Sequence, residues 1–132
     1  MPAKQFSYNK KEKLKSRKHL EALFTAGAMF IVFPLKVFYK EVELQDNVLK
    51  TGVGASRKSF RKAVDRNRIK RLLREVYRIE KPRLLNSLAQ NKKQIALFFL
   101  YVDKSLPEYN LLKEKMQQAI DKLVKSLDER AS

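Results

Sequence analysis

The sequence predicts a single α+β domain in which one mixed sheet is covered by helices, and three observations predict it. The chain has 132 residues with 44% hydrophobic content but only three Gly and four Pro, which suits one compact core and leaves too little chain for two. Its apolar residues change period along the sequence, from helical spacing to alternation and back. A continuous apolar run from Ile95 to Val102 stands between two helical patterns, long enough for a strand buried on both faces and short for a helix. A helix between the second and last long strands implies a split βαβ unit and the order α-β-β-α-β-α, with room for a short extra strand at 29–33. Residues 1–132 are read as one domain, with 1–13 a flexible basic N-terminus and 128–132 a frayed end.

Each element has a local reason. Ser16 is placed to cap a first helix at about 17–26, whose Leu20, Leu23 and Phe24 fall at i, i+3 and i+4; Gly27 stands where a left-handed C-cap belongs. From Met29 to Leu44 the residues are β-branched and aromatic, with Pro34 as a break and alternation from Leu35, predicting a strand at about 35–43. Gln45-Asp46-Asn47 is the turn. The strand from Val48 to Ser56 alternates Val53 and Ala55 with Gly52 and Gly54, so one of its faces is nearly bare. A second helix runs from about Asp65 to Ile79 and is ended by Pro82, leaving 83–92 as a polar connection with at most one helical turn. Ser105-Leu106-Pro107-Glu108 has capping-box spacing, and Leu112, Met116, Ala119, Ile120, Leu123 and Leu127 form one stripe of a third helix after it.

Thirty Lys and Arg against 14 Asp and Glu give a formal charge of +16, which calls for a polyanionic partner, most often nucleic acid. Half of that surplus lies in residues 57–78, where ten basic residues face Asp65 and Glu75 alone. The first 19 residues hold seven Lys or Arg against Glu12, whereas 103–132 balance at six against six. Like charges at i, i+3 and i+4 repel within a helix unless an anion compensates. Without cysteine there is no disulfide framework and no thiolate metal site. No segment has the length of a membrane span or the h-region of a signal peptide, and a cytoplasmic protein without a membrane partner is expected.

Ile69, Leu72, Leu73, Val76 and Tyr77 define the buried face of the second helix. At about 100° per residue, Asn67, Lys70, Arg71, Arg74 and Arg78 fall opposite, with Arg68 on a flank and Arg66 near the apolar boundary. Arg57, Lys58, Arg61 and Lys62 precede it in a loop. Seven of the ten basic residues are arginine, whose planar guanidinium contacts phosphate in bidentate fashion and stacks on bases. A membrane surface or a calmodulin-like partner would also accept a basic amphipathic helix, but here the flanking strands compete for its apolar face.

The run Gly52-Val53-Gly54-Ala55-Ser56-Arg57-Lys58, followed by Ala63-Val64-Asp65-Arg66-Asn67-Arg68-Ile69-Lys70-Arg71-Leu72-Leu73-Arg74-Glu75, resembles the signature of the bacterial ribonuclease P protein subunit. Arg-Asn-Arg at 66–68 and the following Ile-Lys-Arg-Leu are its most specific part. Element order agrees over about 14–125, and the sequence likeness is strongest over 48–78. The resemblance implies an α/β sandwich of the ribosomal protein S5 domain 2-like type, in αβββαβα order with a left-handed βαβ crossover, against the usual hand. It also implies a function: binding a catalytic RNA and the 5′ leader of precursor tRNA, while RNA-bound Mg2+ supports hydrolysis. No stable protein partner is expected.

Residue by residue, the resemblance gives the RNA-subunit contact to Arg57, Lys58, Arg61, Lys62, Arg66, Asn67, Arg68, Lys70, Arg71 and Arg74. It gives a leader cleft between the first helix and the sheet to Leu20, Phe24 and Phe38, with Leu20 where an aromatic is sometimes found. Lys36, Phe38 and Lys40 share one strand face by parity, which suits a base flanked by phosphates; a core side chain under the first helix is the alternative reading of Phe38. Gly52 and Gly54 either admit a backbone close to the strand or mark a bulge.

Groups for chemistry of the protein's own are thin. His19, the only histidine, sits among Arg17, Lys18 and Glu21 as a solvated helix residue. Asp65 and Glu75 suit salt bridges, and no carboxylate pair has two-metal spacing. Neither a phosphate loop nor a nucleophile elbow is present, so no catalytic and no metal-ligating residue is expected. Two other functions stay open at this point: a ribosomal or ribosome-assembly protein, which would share the fold and charge, and a metal nuclease.

Overall fold

The computed structural model describes residues 17–42 and 49–131. The expected Ser16 cap, the basic N-terminus at 1–13 and the turn at 45–47 lie outside them. The elements in chain order are α1 (Arg17–Ala26), β1 (Ala28–Val32), β2 (Leu35–Glu41), β3 (Leu49–Ala55), α2 (Ala63–Gln90), β4 (Ile95–Tyr101) and α3 (Tyr109–Ala131). They form one mixed α/β domain around a four-stranded sheet of order β1-β2-β4-β3. β1, β2 and β4 pair antiparallel, and β3 pairs parallel with β4, so β3-α2-β4 is the expected crossover unit and the short extra strand is β1.

Strand parity divides the sheet into an inner and an outer face. Leu35, Val37 and Tyr39 of β2, with Leu97, Phe99 and Tyr101 of β4, point inward and are buried against α2 and α3. The α3 stripe Leu112, Met116, Ala119, Ile120, Leu123 and Leu127 is fully buried there, as its spacing predicts. Within this core the Thr51 hydroxyl shares a 2.8 Å hydrogen bond with the Tyr77 hydroxyl, satisfying two polar groups that burial would otherwise penalise. β4 is buried on both faces only from Ile95 to Leu97; beyond that its inner-face Phe99 and Tyr101 stay buried while Phe98 and Leu100 on the outer face are half-buried, so the expected double burial holds for its first half alone.

Three local expectations are corrected. The second helix does not end at Pro82: α2 continues through it for 28 residues to Gln90. A proline inside a helix costs about 3 kcal/mol. The two leucines beyond it, Leu84 and Leu88, are fully buried against α3 and stabilise by about 1.5–3 kcal/mol each, which offsets that cost. Arg83, one residue past the proline, bonds to Asp121 of α3 and, at 2.6 Å, to Glu80, while Asn91 Nδ2 donates to Asp128 at 2.7 Å.

Gly27 is not a left-handed cap, because none of the described glycines has positive φ. Glycine is required there by close approach, since a Cβ would stand 2.5 Å from the Leu23 carbonyl oxygen and 3.0 Å from that of Tyr39. The start of the third helix also moves. Ser105 precedes it as part of a turn, accepting a 2.7 Å bond from the Tyr101 hydroxyl on its carbonyl. The first helical bond closes from the Leu112 N–H to the Glu108 carbonyl instead.

Candidate nucleic-acid interface

The chain leaves β3 at Ala55 and turns through residues 56–62 before entering α2. The Phe60 N–H closes the turn on the Ser56 carbonyl at 2.9 Å. Its ring is buried beside Tyr101 with centroids 6.1 Å apart, so an aromatic that is out of phase with the helix serves as a plug that fixes the loop. Arg66 Nη1 donates to the carbonyls of both Phe60 and Arg61 at 2.8 Å. That guanidinium edge is committed to holding the loop against the first turn of α2. Arg57, Lys58, Arg61, Lys62, Asn67, Arg68 and Arg71 are exposed, and Lys70 and Arg74 are half-buried. Ile69, Leu73, Val76 and Tyr77 are buried on the opposite side, as the periodicity predicts. Arg78 pairs with Glu75 at 2.7 Å; that hydrogen bond pushes its pKa up. Lys62 contributes no side-chain cap, and Asp65 is the acidic residue of the first turn of α2 that faces the positive end of the helix among these cations.

The outer face of the sheet carries a second group. α1 lies across β2 and β4 and buries Leu23 on Ala96. Leu20, Phe38 and Phe98 pack around that contact. Phe24 meets Phe38 edge-on at 4.9 Å and Phe98 edge-on at 5.2 Å, yet stays 46% exposed. Lys36 Nζ lies 5.5 Å from the Phe38 centroid, a cation–π distance. Phe38 thus packs under α1 and is half-buried beside that lysine. The β3–β4 ladder is continuous from Leu49 to Ala55, which excludes a bulge at Gly52 or Gly54. Gly54 instead makes room for Phe98. Lys40 is not brought to the aromatic group; it borders a depression with Ala26, Gly27 and Glu41 at the C-terminal end of α1.

Sequence reasoning did not include Phe98 in this group. The signal lay in the register, where Phe38 and Gly52 both pair with Phe98, and pairing partners are not legible in one strand's alternation. Register also relates the two groups. The ends of β3 and β4, the start of β2 and the end of β1 coincide, as Ala55 pairs with Tyr101, Tyr101 with Leu35, and Leu35 with Val32. The basic loop after Ala55 thus begins at one end of the sheet, whereas α1 joins β1 at the other and leaves the near end of the outer face open.

Carboxylates are engaged locally. Asp103 Oδ1 accepts the Lys104 N–H at 2.6 Å, and Glu75 holds Arg78. Among the described residues no group of three or more His, Cys, Asp or Glu is placed to hold a metal ion, and no helix is long and apolar enough to cross a membrane. The His19 side chain lies outside the described residues.

Comparison with known proteins gives a consistent answer. The family described as Ribonuclease P matches residues 8–128. A Ribonuclease P protein component of Porphyromonas gingivalis is 36% identical over 117 residues, covering 87% of this chain and 85% of that protein. One from Chlorobium phaeobacteroides is 31% identical over 123 residues, covering 85% and 84%. Among solved structures, the RNase P protein of Thermotoga maritima superposes with TM-score 0.61 at 19% identity, covering 84% of this chain and 96% of that one. A Staphylococcus aureus RNase P protein mutant with defective mRNA degradation activity gives TM-score 0.67 at 17% identity, covering 86% and 88%. These two establish likeness of fold.

Proposed function

The chain belongs to the ribonuclease P protein family, and on that premise we propose that it is the protein subunit of a ribonucleoprotein endonuclease that removes the 5′ leader of precursor tRNA. Membership implies an RNA-processing endonuclease subunit that associates with an RNA. The finer reading assigns two contacts. The exposed face of α2 and its preceding loop (Arg57, Lys58, Arg61, Lys62, Asn67, Arg68, Lys70, Arg71, Arg74, with Arg66 as the brace) grips the catalytic RNA. The outer-face cleft (Leu20, Phe24, Lys36, Phe38 and the strand at Gly52 and Gly54, joined by Phe98) takes the single-stranded leader, while Lys40 supplies charge at its margin. The cytoplasm is the proposed compartment.

The observation that supports this reading is the segregation of a cationic helix face from a half-open aromatic cleft with a lysine beside it. Arginines on a rigid helix suit the phosphates of a folded RNA, where counterion release supplies affinity without base specificity. Exposed rings next to ammonium groups suit unpaired bases, which stack on any aromatic. Mg2+, proposed as the cofactor, is held by the RNA and supplies the hydrolytic chemistry there. The protein's own residues bind and orient, which lowers the entropy cost of placing the leader.

Reconstitution tests the reading. Purified protein mixed with a ribonuclease P RNA should stimulate precursor cleavage at low magnesium concentration, and absence of stimulation with cognate RNA sinks it. The ribosomal alternative predicts cross-links to ribosomal RNA in cells rather than to a separate catalytic RNA.

A further inference from the structure

The open end of the sheet, at the β1–β2 turn, carries side chains that the cleft does not use. Ile31 of β1 is 53% exposed and Phe33, in the two-residue turn between β1 and β2, is 59% exposed. Large apolar groups left in water cost free energy, and grouped ones mark contact surfaces. The Phe33 backbone is firmly held. Pro34 beside it is buried, and the Pro34 carbonyl accepts the Val102 N–H at 2.9 Å, tying the turn to the end of β4. An exposed ring on an anchored turn loses little entropy when something stacks on it.

The surroundings identify the occupant. Ile31 pairs with Lys36, the lysine already beside Phe38, and the next outer-face positions across the sheet are Leu100 and Gly54. Beyond Gly54 the chain passes directly into the loop bearing Arg57 and Lys58. The patch is thus continuous with the aromatic cleft on one side and with the cationic loop on the other. No acidic residue belongs to this row. An apolar platform set among cations selects an anionic ligand with a flat apolar part, and a single-stranded nucleic acid has both.

We propose that Phe33, with Ile31 and Lys36, forms a second leader subsite that stacks a nucleobase next to the one taken at Phe38. The inference rests on the leader cleft proposed above and extends it towards the basic loop. Phe33 acts as a platform, Ile31 shields one side of the base, and Lys36 serves the phosphate between the two bases.

The experiment measures affinity for precursor and for mature tRNA with the reconstituted holoenzyme, comparing wild type with Phe33→Ala, Phe33→Tyr, Phe33→Leu and Phe38→Ala. Phe33→Ala should weaken precursor binding roughly tenfold, within the range that one base–aromatic stack supplies, while mature tRNA binding stays at wild type. Phe33→Tyr should restore affinity and Phe33→Leu should not, because the platform needs a π face. If Phe38→Ala lowers the precursor-to-mature ratio and Phe33→Ala does not, the second subsite is overturned and the cleft stands. If both leave the ratio unchanged, the cleft reading fails as well. Full activity of Phe33→Leu, or an equal loss for both tRNAs, would assign Phe33 to another contact and also overturn the proposal.

Discussion

Phe98 lies across Gly54, and a methyl group built on that glycine would stand 2.8 Å from the Phe98 Cζ and 3.2 Å from Cε1. Any side chain at 54 must push the ring out of the position from which it meets Phe24. The glycine is thus needed for the space above it, since its backbone is a regular strand residue.

Gly54→Val should therefore displace Phe98 and open the aromatic cluster. Precursor binding weakens while binding of the protein to its RNA subunit is retained, because the α2 surface is on the other side of the sheet. Filter binding with precursor, mature tRNA and RNA subunit separates these effects, and a uniform loss across all three would show that the fold had been damaged instead.

Arg68→Ala and Arg71→Ala remove exposed cations from α2. Each should weaken RNA binding and reduce by about one the slope of log affinity against log salt, with melting temperature close to wild type. Leu73, fully buried on the same helix, should behave oppositely on truncation to Ala, losing about 2–5 kcal/mol of stability. Thermal melts paired with salt titrations check both; equal stability losses would contradict the division of faces.

Pro82→Ala should stabilise the protein. The substitution restores one helical N–H donor and removes the ring's clash with the preceding turn, a gain opposed by greater freedom of the unfolded chain. A net of about 1–2 kcal/mol in denaturant melts is expected. Destabilisation would mean that α2 needs a bend at that point.

Tyr101 supplies a pH signature. Burial, followed by the nearby charge of Asp103, pushes its pKa up to about 12 from 10.0. The folded state thus holds the phenol proton more tightly than the unfolded chain does. Its contribution is complete below about pH 10 and is lost as pH rises towards 12. Tyr101→Phe, which also gives up the bond to the Ser105 carbonyl, should be less stable at neutral pH but show a shallower alkaline decline. Melting temperatures of both proteins between pH 8 and 11.5 decide it.

What the sequence made legible follows from period and charge. The stripes Ile69 to Tyr77 and Leu112 to Leu127, the opposed faces of residues 35–40 and the existence of the apolar strand β4 all come from side-chain spacing, which local backbone geometry enforces. What it concealed depends on partners distant in sequence. Pro82 signals a helix end because the residues that carry α2 past it, Leu84 and Leu88, gain their burial from α3, some thirty positions later. Gly27 and Gly54 look like conformational devices, yet both are sites of close approach, to Tyr39 and to Phe98. The aromatic group was two-thirds visible for the same reason: Phe24 and Phe38 announce themselves, whereas Phe98 hides inside an unbroken apolar run and is placed by register alone. Arg66, one of the family's signature residues, reads as an RNA contact, and its bonds to the Phe60 and Arg61 carbonyls give it in addition the task of shaping the loop that carries the others.

The unbroken course of α2 has one more consequence. The rod that presents Arg68 and Arg71 at its beginning is the rod that Arg83 and Asn91 fasten to α3 at its end. Its first turns are tied to the same core, because Phe60, Ile69 and Leu73 are buried in the cluster that also holds Leu84 and Leu88. RNA thus behaves as a folding ligand for the whole chain: by mass action, its binding raises the global unfolding free energy. Protection from proteolysis should then extend to α3, which packs against α2.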